Sequence, residues 1–268
     1  MAVVSEQPST MQSDRSLRER YLEVKDRIDA AARRSGRTGD RVVLVAVTKY
    51  ASIEQIRELI GLGQVDFGEN RVQQLVQRAA QIEEYLGRKH ELGGAERRNL
   101  PDRVRWHMIG TLQRNKVKKA IEVCRLIHSV ESLRLAEDIN AAAVRREQPM
   151  EVLLQVNIAQ ERSKHGITGP AVRHLIDQME TMVNLQVRGL MCMAPIAEDP
   201  ETVRPVFERC RELFEDLRRE GVGGARFDVL SMGMSNDFEV AIECGANVVR
   251  VGSAIFGTAT PESDANAG

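Results

Sequence analysis

The sequence predicts one α/β domain, a (β/α)8-type barrel with an extra N-terminal helix and a binding rim at the C-terminal ends of its strands. Three observations carry that expectation. Eight short β-favouring runs alternate with stretches of helical periodicity, which implies parallel strands joined by helical crossovers. The chain has 268 residues, enough for one barrel of about 250 but a tight fit for two full domains. An open doubly wound sheet fits the alternation almost as well, yet the G-x-G-x-x-G turn it usually carries after its first strand is absent.

Taken in order, a helix near Leu17 to Ala32 precedes the first strand, Val42 to Val47, a continuous aliphatic run. Ser52 then caps a helix whose apolar residues Ile53, Ile56, Leu59 and Ile60 share a face. The second strand, Val65 to Gly68, leads to a helix with Val72, Leu75, Val76, Ala79 and Ile82 at helical spacing. Further strands are expected at Val104 to Ile109, Arg125 to Ser129, Val152 to Ile158, Leu185 to Met191, Phe227 to Leu230 and Val248 to Val251. The clearest late helix puts Val206, Phe207, Cys210, Leu213, Phe214 and Leu217 on one side. The charged, Gly-containing stretch from about Gly87 to Asp102 reads as an exposed insertion. Residues 1–14 and 258–268 read as flexible ends around a domain at 15–257.

Composition narrows the function classes. With 38 basic and 39 acidic residues, no global field attracts nucleic acid or an anionic membrane. The cluster Arg114, Lys116, Lys118 and Lys119 falls on a helix whose Val117, Ala120 and Ile121 face inward, so it reads as a solvated face. No signal peptide or membrane-length apolar run is evident, and a soluble cytoplasmic protein is expected. The four cysteines are scattered, which suggests neither disulfides nor a metal site. No large exposed apolar helix face is evident, so a monomer is expected.

In a barrel, function gathers just beyond the strands. Strand one ends in Thr48-Lys49, where partial desolvation would favour the neutral amine needed for imine formation; alone, it reads first as a solvated lysine closing a strand. The last two strand ends carry Ser231, Gly233, Ser235, Gly252 and Ser253, hydroxyls and open backbone N–H groups suited to phosphate, or else ordinary turn chemistry. Arg250 lies in an apolar segment and needs an acceptor, either a carboxylate inside the barrel or a ligand atom. Together these describe a site for a phosphorylated aldehyde. His107 could approach it but reads better as a hydrogen-bonded histidine inside the barrel, and Met191, Cys192 and Met193 as core.

The blocks VAVTKY, FGENRVQQL, WHMIGTLQRNK, HSVES, VNIAQERSKHGI, GLMCMAP and LSMGMSNDFEVAIECGANVVRVGSAIFG, in this order, resemble the YggS/PROSC family of pyridoxal 5′-phosphate (PLP) binding proteins, from about residue 15 to Gly257. The resemblance implies a barrel related to the N-terminal domain of alanine racemase, with PLP as an internal aldimine on Lys49 and a role in PLP homeostasis. By motif it implies that Arg250 faces the pyridine nitrogen, that Ser231, Ser235, Gly252 and Ser253 hold the phosphate beside Gly233, and that Asn70 and Asn157 line the ring. Apo PLP-dependent enzymes are the partners such a carrier would serve. Two departures are visible: ELGGAERRNLPD is longer than the family's usual connection, and Ser253 stands where threonine is common.

A protonated arginine only donates to the pyridine nitrogen, which leaves the ring a weak electron sink and disfavours transamination. Two-base racemisation also needs an acid or base on the face opposite the lysine. The family of racemases supplies a tyrosine for this from a second domain, which the short stretch after Gly257 does not provide, and Tyr50 is expected to point away from the lysine's face. Holding PLP is therefore the leading expectation. A racemase-like enzyme of low activity is the alternative, and a cofactor-free aldolase using Lys49 is a third.

Overall fold

The computed structural model describes residues 15–93, 100–158 and 166–257. The expected flexible ends, residues 94–99 of the insertion and residues 159–165 of the Val156 block lie outside them.

The strands are β1 (Val43–Val47), β2 (Asp66–Glu69), β3 (Arg105–Met108), β4 (Cys124–Val130), β5 (Met150–Val156), β6 (Leu185–Cys192), β7 (Val229–Ser231) and β8 (Val248–Val251). All pair in parallel in sequence order, and β1 returns to β8 with Val43 opposite Val248 and Ala46 opposite Val251, so the sheet is a closed barrel. Closure removes every free edge and buries both faces. Helices α1 (Leu17–Arg34), α2 (Ile53–Gly61), α3 (Val72–Leu92), α4 (Val117–Val123), α5 (Leu133–Ala142), α6 (Gly169–Glu180), α7 (Arg204–Arg219), α8 (Phe238–Glu243) and α9 (Ser253–Phe256) complete the described fold.

The period-2 alternation of each strand divides the core in two. Leu44, Ala46, Ile127, Val152, Leu154, Leu190, Val249 and Val251 belong to the large layer between strands and helices. Leu126, Leu153 and Met191 form a separate small cluster, the apolar plug of the barrel interior. Above and beside that plug the buried interior is polar, with His107, His128, Gln155, Ser231 and Arg250. An interior this polar must satisfy its own hydrogen bonds, and His107, His128, Ser231 and Arg250 do so in one continuous chain described below.

Local signals explain the helices. Ser16 and Glu19 form a reciprocal capping box at α1, and Ser52 and Gln55 do the same at α2. On α4, Val117, Ala120 and Ile121 are buried, and Arg114 just before it pairs with Asp138, consistent with a solvated basic face. Helix α1 crosses the seam where the barrel closes: Arg27 pairs with Glu239 of α8 at 2.6 Å, and Arg20 Nε donates to the carbonyl of Ile255 in α9 at 2.7 Å.

Three boundaries differ from expectation. Strand β5 runs Met150–Val156 rather than Val152 to Ile158, which leaves Asn157 beyond the strand and Gln155 inside it. Strand β7 begins at Val229 rather than Phe227, because Phe227 packs against Phe214 of α7, their ring centroids 5.2 Å apart. The stretch from Gly87 is not all insertion: α3 continues to Leu92, with Leu86 buried in its last turns. All four cysteines are free and buried, and among the described residues no group could hold a metal ion. No described helix is long and apolar enough to cross a membrane.

Candidate functional site

A cavity of about 730 Å³ opens at the C-terminal ends of the strands. Lys49 enters it from a turn directly after β1, in which the Ala51 N–H donates to the carbonyl of Thr48 at 2.9 Å. The turn is held from α3. Arg78 donates to the carbonyl of Ala51 at 2.7 Å, also to that of Thr48, and pairs with the buried Glu69, which in turn accepts from the Thr48 hydroxyl. Burial raises the carboxyl of Glu69 above its usual range, although Arg78 opposes the shift. Among the described residues the Lys49 amine has no carboxylate partner; its Nζ lies 4.4 Å from the centroid of the Tyr50 ring.

Tyr50 was expected to point away from the lysine, and the structure corrects this. The alternation rule applies inside a strand, whereas Lys49 and Tyr50 occupy the middle of a turn and project together into the cavity. Tyr50 thus lines the same space as the lysine.

The far wall carries Arg250, buried to 3% exposure. Its guanidinium donates to Ser231 Oγ at 2.6 Å and to the carbonyl of Cys192 at 3.0 Å, so a hydroxyl and a carbonyl stand where a carboxylate was one of the two expected acceptors. Burial lowers Arg250 to about 10, which leaves it charged at neutral pH. Asp237, on the same wall, has its carboxyl raised by burial against the opposing pull of Arg250.

The two loops expected to meet do meet. Ser235 Oγ accepts the backbone N–H of Gly252 at 3.2 Å and that of Ala254 at 3.3 Å, and Ser235, Gly252 and Ser253 all line the cavity. Gly233 lies one layer below, its carbonyl accepting the Arg250 N–H at 3.1 Å. Ser231 is deeper still, fully buried under Arg250, and does not line the cavity. Asn70 lines it, and its buried Oδ1 has no hydrogen-bond partner among the described residues. Asn157 is placed outside the lining set, its N–H bound to the carbonyl of Ile167 at 2.9 Å, and Gln155 takes the position facing the cavity. His107 is inside the barrel and hydrogen-bonded, as expected.

Sequence reasoning missed Arg78, Gln155 and Asp237. A period-2 reading anchored one strand boundary more accurately would have found Gln155. Arg78 gives no signal, since in the sequence it is one of many helix arginines and nothing marks it as the one that turns inward.

The buried histidines carry a pH consequence. Burial, with His107 and Arg250 adjacent, holds His128 well below the ordinary 6.5, so the folded protein keeps it neutral while the unfolded chain binds a proton. Its contribution is complete above 6.5 and is lost as pH falls below it. Denaturant titrations should show stability falling through this group between pH 7 and pH 5. A His128→Gln variant should lack that component; an identical pH slope in the variant would refute the assignment.

A closed parallel barrel with a rim lysine and a buried arginine opposite defines a class of cofactor barrel. The chain belongs to the family described as alanine racemase, N-terminal domain, whose model matches residues 24–260, and within it to the group of the pyridoxal phosphate homeostasis proteins. A relative of that name from Aquifex aeolicus is 38% identical over 89% of this chain and 96% of its own length. Another, from Escherichia coli K12, is 37% identical over 88% and 93%. The structure of PipY from Synechococcus elongatus PCC7942, solved with PLP bound, matches with a TM-score of 0.74 and 30% identity, covering 90% of this chain and all of that one.

Proposed function

We propose that the cavity binds PLP, covalently through Lys49, and that the protein serves PLP homeostasis by holding and releasing the cofactor. The observation that carries this reading is the placement of an unpaired amine, a hydroxyl with two backbone N–H donors, and a buried cation around one cavity. The names of the relatives and the PLP in the PipY structure support it.

The residues present fit the group. Lys49 would hold the aldehyde through its amine, the imine linkage being the chemistry that the group would supply there. Ser235, its oxygen fixed by the N–H groups of Gly252 and Ala254 and its hydroxyl hydrogen left to donate, would receive the phosphate, and Ser253 adds a second hydroxyl at the same corner. Arg250 would hold the pyridine-nitrogen end of the ring, as a donor that cannot supply that nitrogen with a proton. The orphaned Oδ1 of Asn70 gains a partner when the ring and its substituents fill the cavity. Gln155, rather than Asn157, faces the ring from β5.

The purified protein mixed with PLP should develop the near-visible absorbance of an imine, and borohydride should fix the added mass on the peptide containing Lys49. Mass on another lysine, or none, would overturn the reading. Ser235→Ala should weaken PLP binding about tenfold, the worth of one charge-assisted hydrogen bond, while leaving binding of phosphate-free pyridoxal unchanged. Equal losses for both ligands would move the phosphate elsewhere.

Tyr50 in the cavity favours one second reading, a PLP-dependent racemase-like activity with the phenol as an acid or base. Because its ring sits beside Lys49 on the same turn, it does not supply an opposed second base. Incubation of the PLP-loaded protein with L-amino acids in deuterated water should leave Cα protium in place over many hours. Catalytic deuterium incorporation, lost in Tyr50→Phe, would establish the enzyme instead.

A further inference from the structure

Five buried side chains from β2, β3, β4, β7 and β8 form one unbroken hydrogen-bonded chain through the inside of the barrel. Arg250 Nη1 lies 2.6 Å from Ser231 Oγ, Ser231 Oγ 3.0 Å from His128 Nδ1, His128 Nε2 2.9 Å from His107 Nδ1, and His107 Nε2 3.0 Å from Asp66 Oδ1. None of the five exceeds 6% exposure. Asp66 is the first residue of β2, at the end of the barrel away from the cavity, where Arg105 Nε also binds it at 2.7 Å.

With both rings neutral, the carboxylate end sets the direction of every proton along the chain. A carboxylate only accepts, so His107 Nε2 carries a hydrogen, and in a neutral ring its Nδ1 is then bare. That bare nitrogen requires a hydrogen on His128 Nε2, which leaves His128 Nδ1 bare in turn. From the other end, a guanidinium only donates, so Ser231 Oγ accepts from Arg250, and its own hydrogen remains to meet the bare His128 Nδ1. The arginine end is compatible with the assignment that starts from the carboxylate. Protonating both facing nitrogens of the histidine pair would set two N–H groups against each other at 2.9 Å. The depressed basicity of His128 agrees with a neutral ring.

We propose that Ser231, His128, His107 and Asp66 are positioning residues that fix the direction of Arg250 at the cavity wall, with Asp66 anchoring the far end of the chain. A buried arginine without a carboxylate in contact is costly, and a polarised chain of neutral groups connects it to one across the barrel. This deepens the reading of Arg250 as the partner of the PLP ring and rests on it.

The first test needs no cofactor. In the 15N-labelled protein without PLP, long-range 1H–15N spectra, assigned with the His107→Gln and His128→Gln variants, should show His107 and His128 as neutral Nε2–H tautomers. A hydrogen on Nδ1 of either ring overturns the chain. The second test uses PLP. His128→Leu interrupts the chain two residues from the cavity; it should raise the PLP dissociation constant about tenfold and shift the absorbance maximum of the bound cofactor. His128→Gln, whose amide oxygen accepts from Ser231 and whose NH2 donates to His107, should restore both. Asp66→Asn keeps an acceptor but removes the charge, and should shift the spectrum in the same direction as His128→Leu even if the leucine variant folds poorly. Unchanged affinity and spectrum in Asp66→Asn, or failure of the glutamine to restore, overturns the proposal. A native protein that forms no Lys49 adduct defeats the PLP reading instead, while the tautomers still judge the chain.

Discussion

Lys49→Ala is expected to remove the near-visible band and the borohydride-fixed adduct completely, while the folded barrel persists. The substitution takes away the one amine that enters the cavity from the described residues, and no neighbouring lysine can substitute, since Lys49 is the lysine among the lining residues. The turn itself should survive, because its support comes from backbone atoms and Arg78, none of which involve the lysine side chain. PLP should then bind only through its phosphate and ring contacts and leave on simple dilution or gel filtration. The measurement is a paired absorbance and intact-mass experiment. A Lys49→Ala protein that keeps the band and the fixed mass would reject the assignment of the tether.

Gly189→Ala should have the largest effect on stability. Gly189 sits in β6 at φ 149°, opposite Leu153 across a register shift and beside Val229 of β7. A Cβ there would lie 1.8 Å from the carbonyl oxygen of Val229, an encounter with backbone that rotamer changes cannot relieve. We expect a loss of about 3–5 kcal/mol and a melting temperature lower by roughly 10 °C. Gly63→Ala separates the two causes: its φ is 92° but no atom lies within 4 Å of the added carbon, so the expected cost is only about 1–2 kcal/mol. Equal melting temperatures for the two variants would refute the clash. Because Val229 leads directly into Ser231, surviving Gly189→Ala protein should also bind PLP more weakly.

The barrel was legible because parallel strands buried on both faces read as aliphatic runs, and β8, Val248–Val251, coincides with its run. Lys49, Ser235, Arg250, Gly252 and Ser253 were legible because a barrel brings the ends of distant strands to one rim, so residues immediately after each run assemble without any local signal. Tyr50 was misread where a strand rule was extended into a turn. Ser231 and Asn157 were misplaced in depth, by one layer and by one strand end, since the sequence marks a loop but not how far down its residues sit. The His107–His128 chain was invisible for a different reason: it links side chains of several strands and, from His128 to Ser231, crosses the barrel between β4 and β7, which no periodicity along one strand encodes.

The clamp of Arg78 on the turn beneath Lys49 bears on how the site cycles. Its bonds to Thr48, Ala51 and Glu69 lie wholly within the protein, so the lysine's backbone is set before any ligand arrives. Capture then needs little ordering of the chain, and departure leaves nothing to rebuild. If Lys49 is the tether proposed above, a receptor with its tether set in advance would exchange its cargo at a rate set by imine chemistry rather than by ordering of a loop.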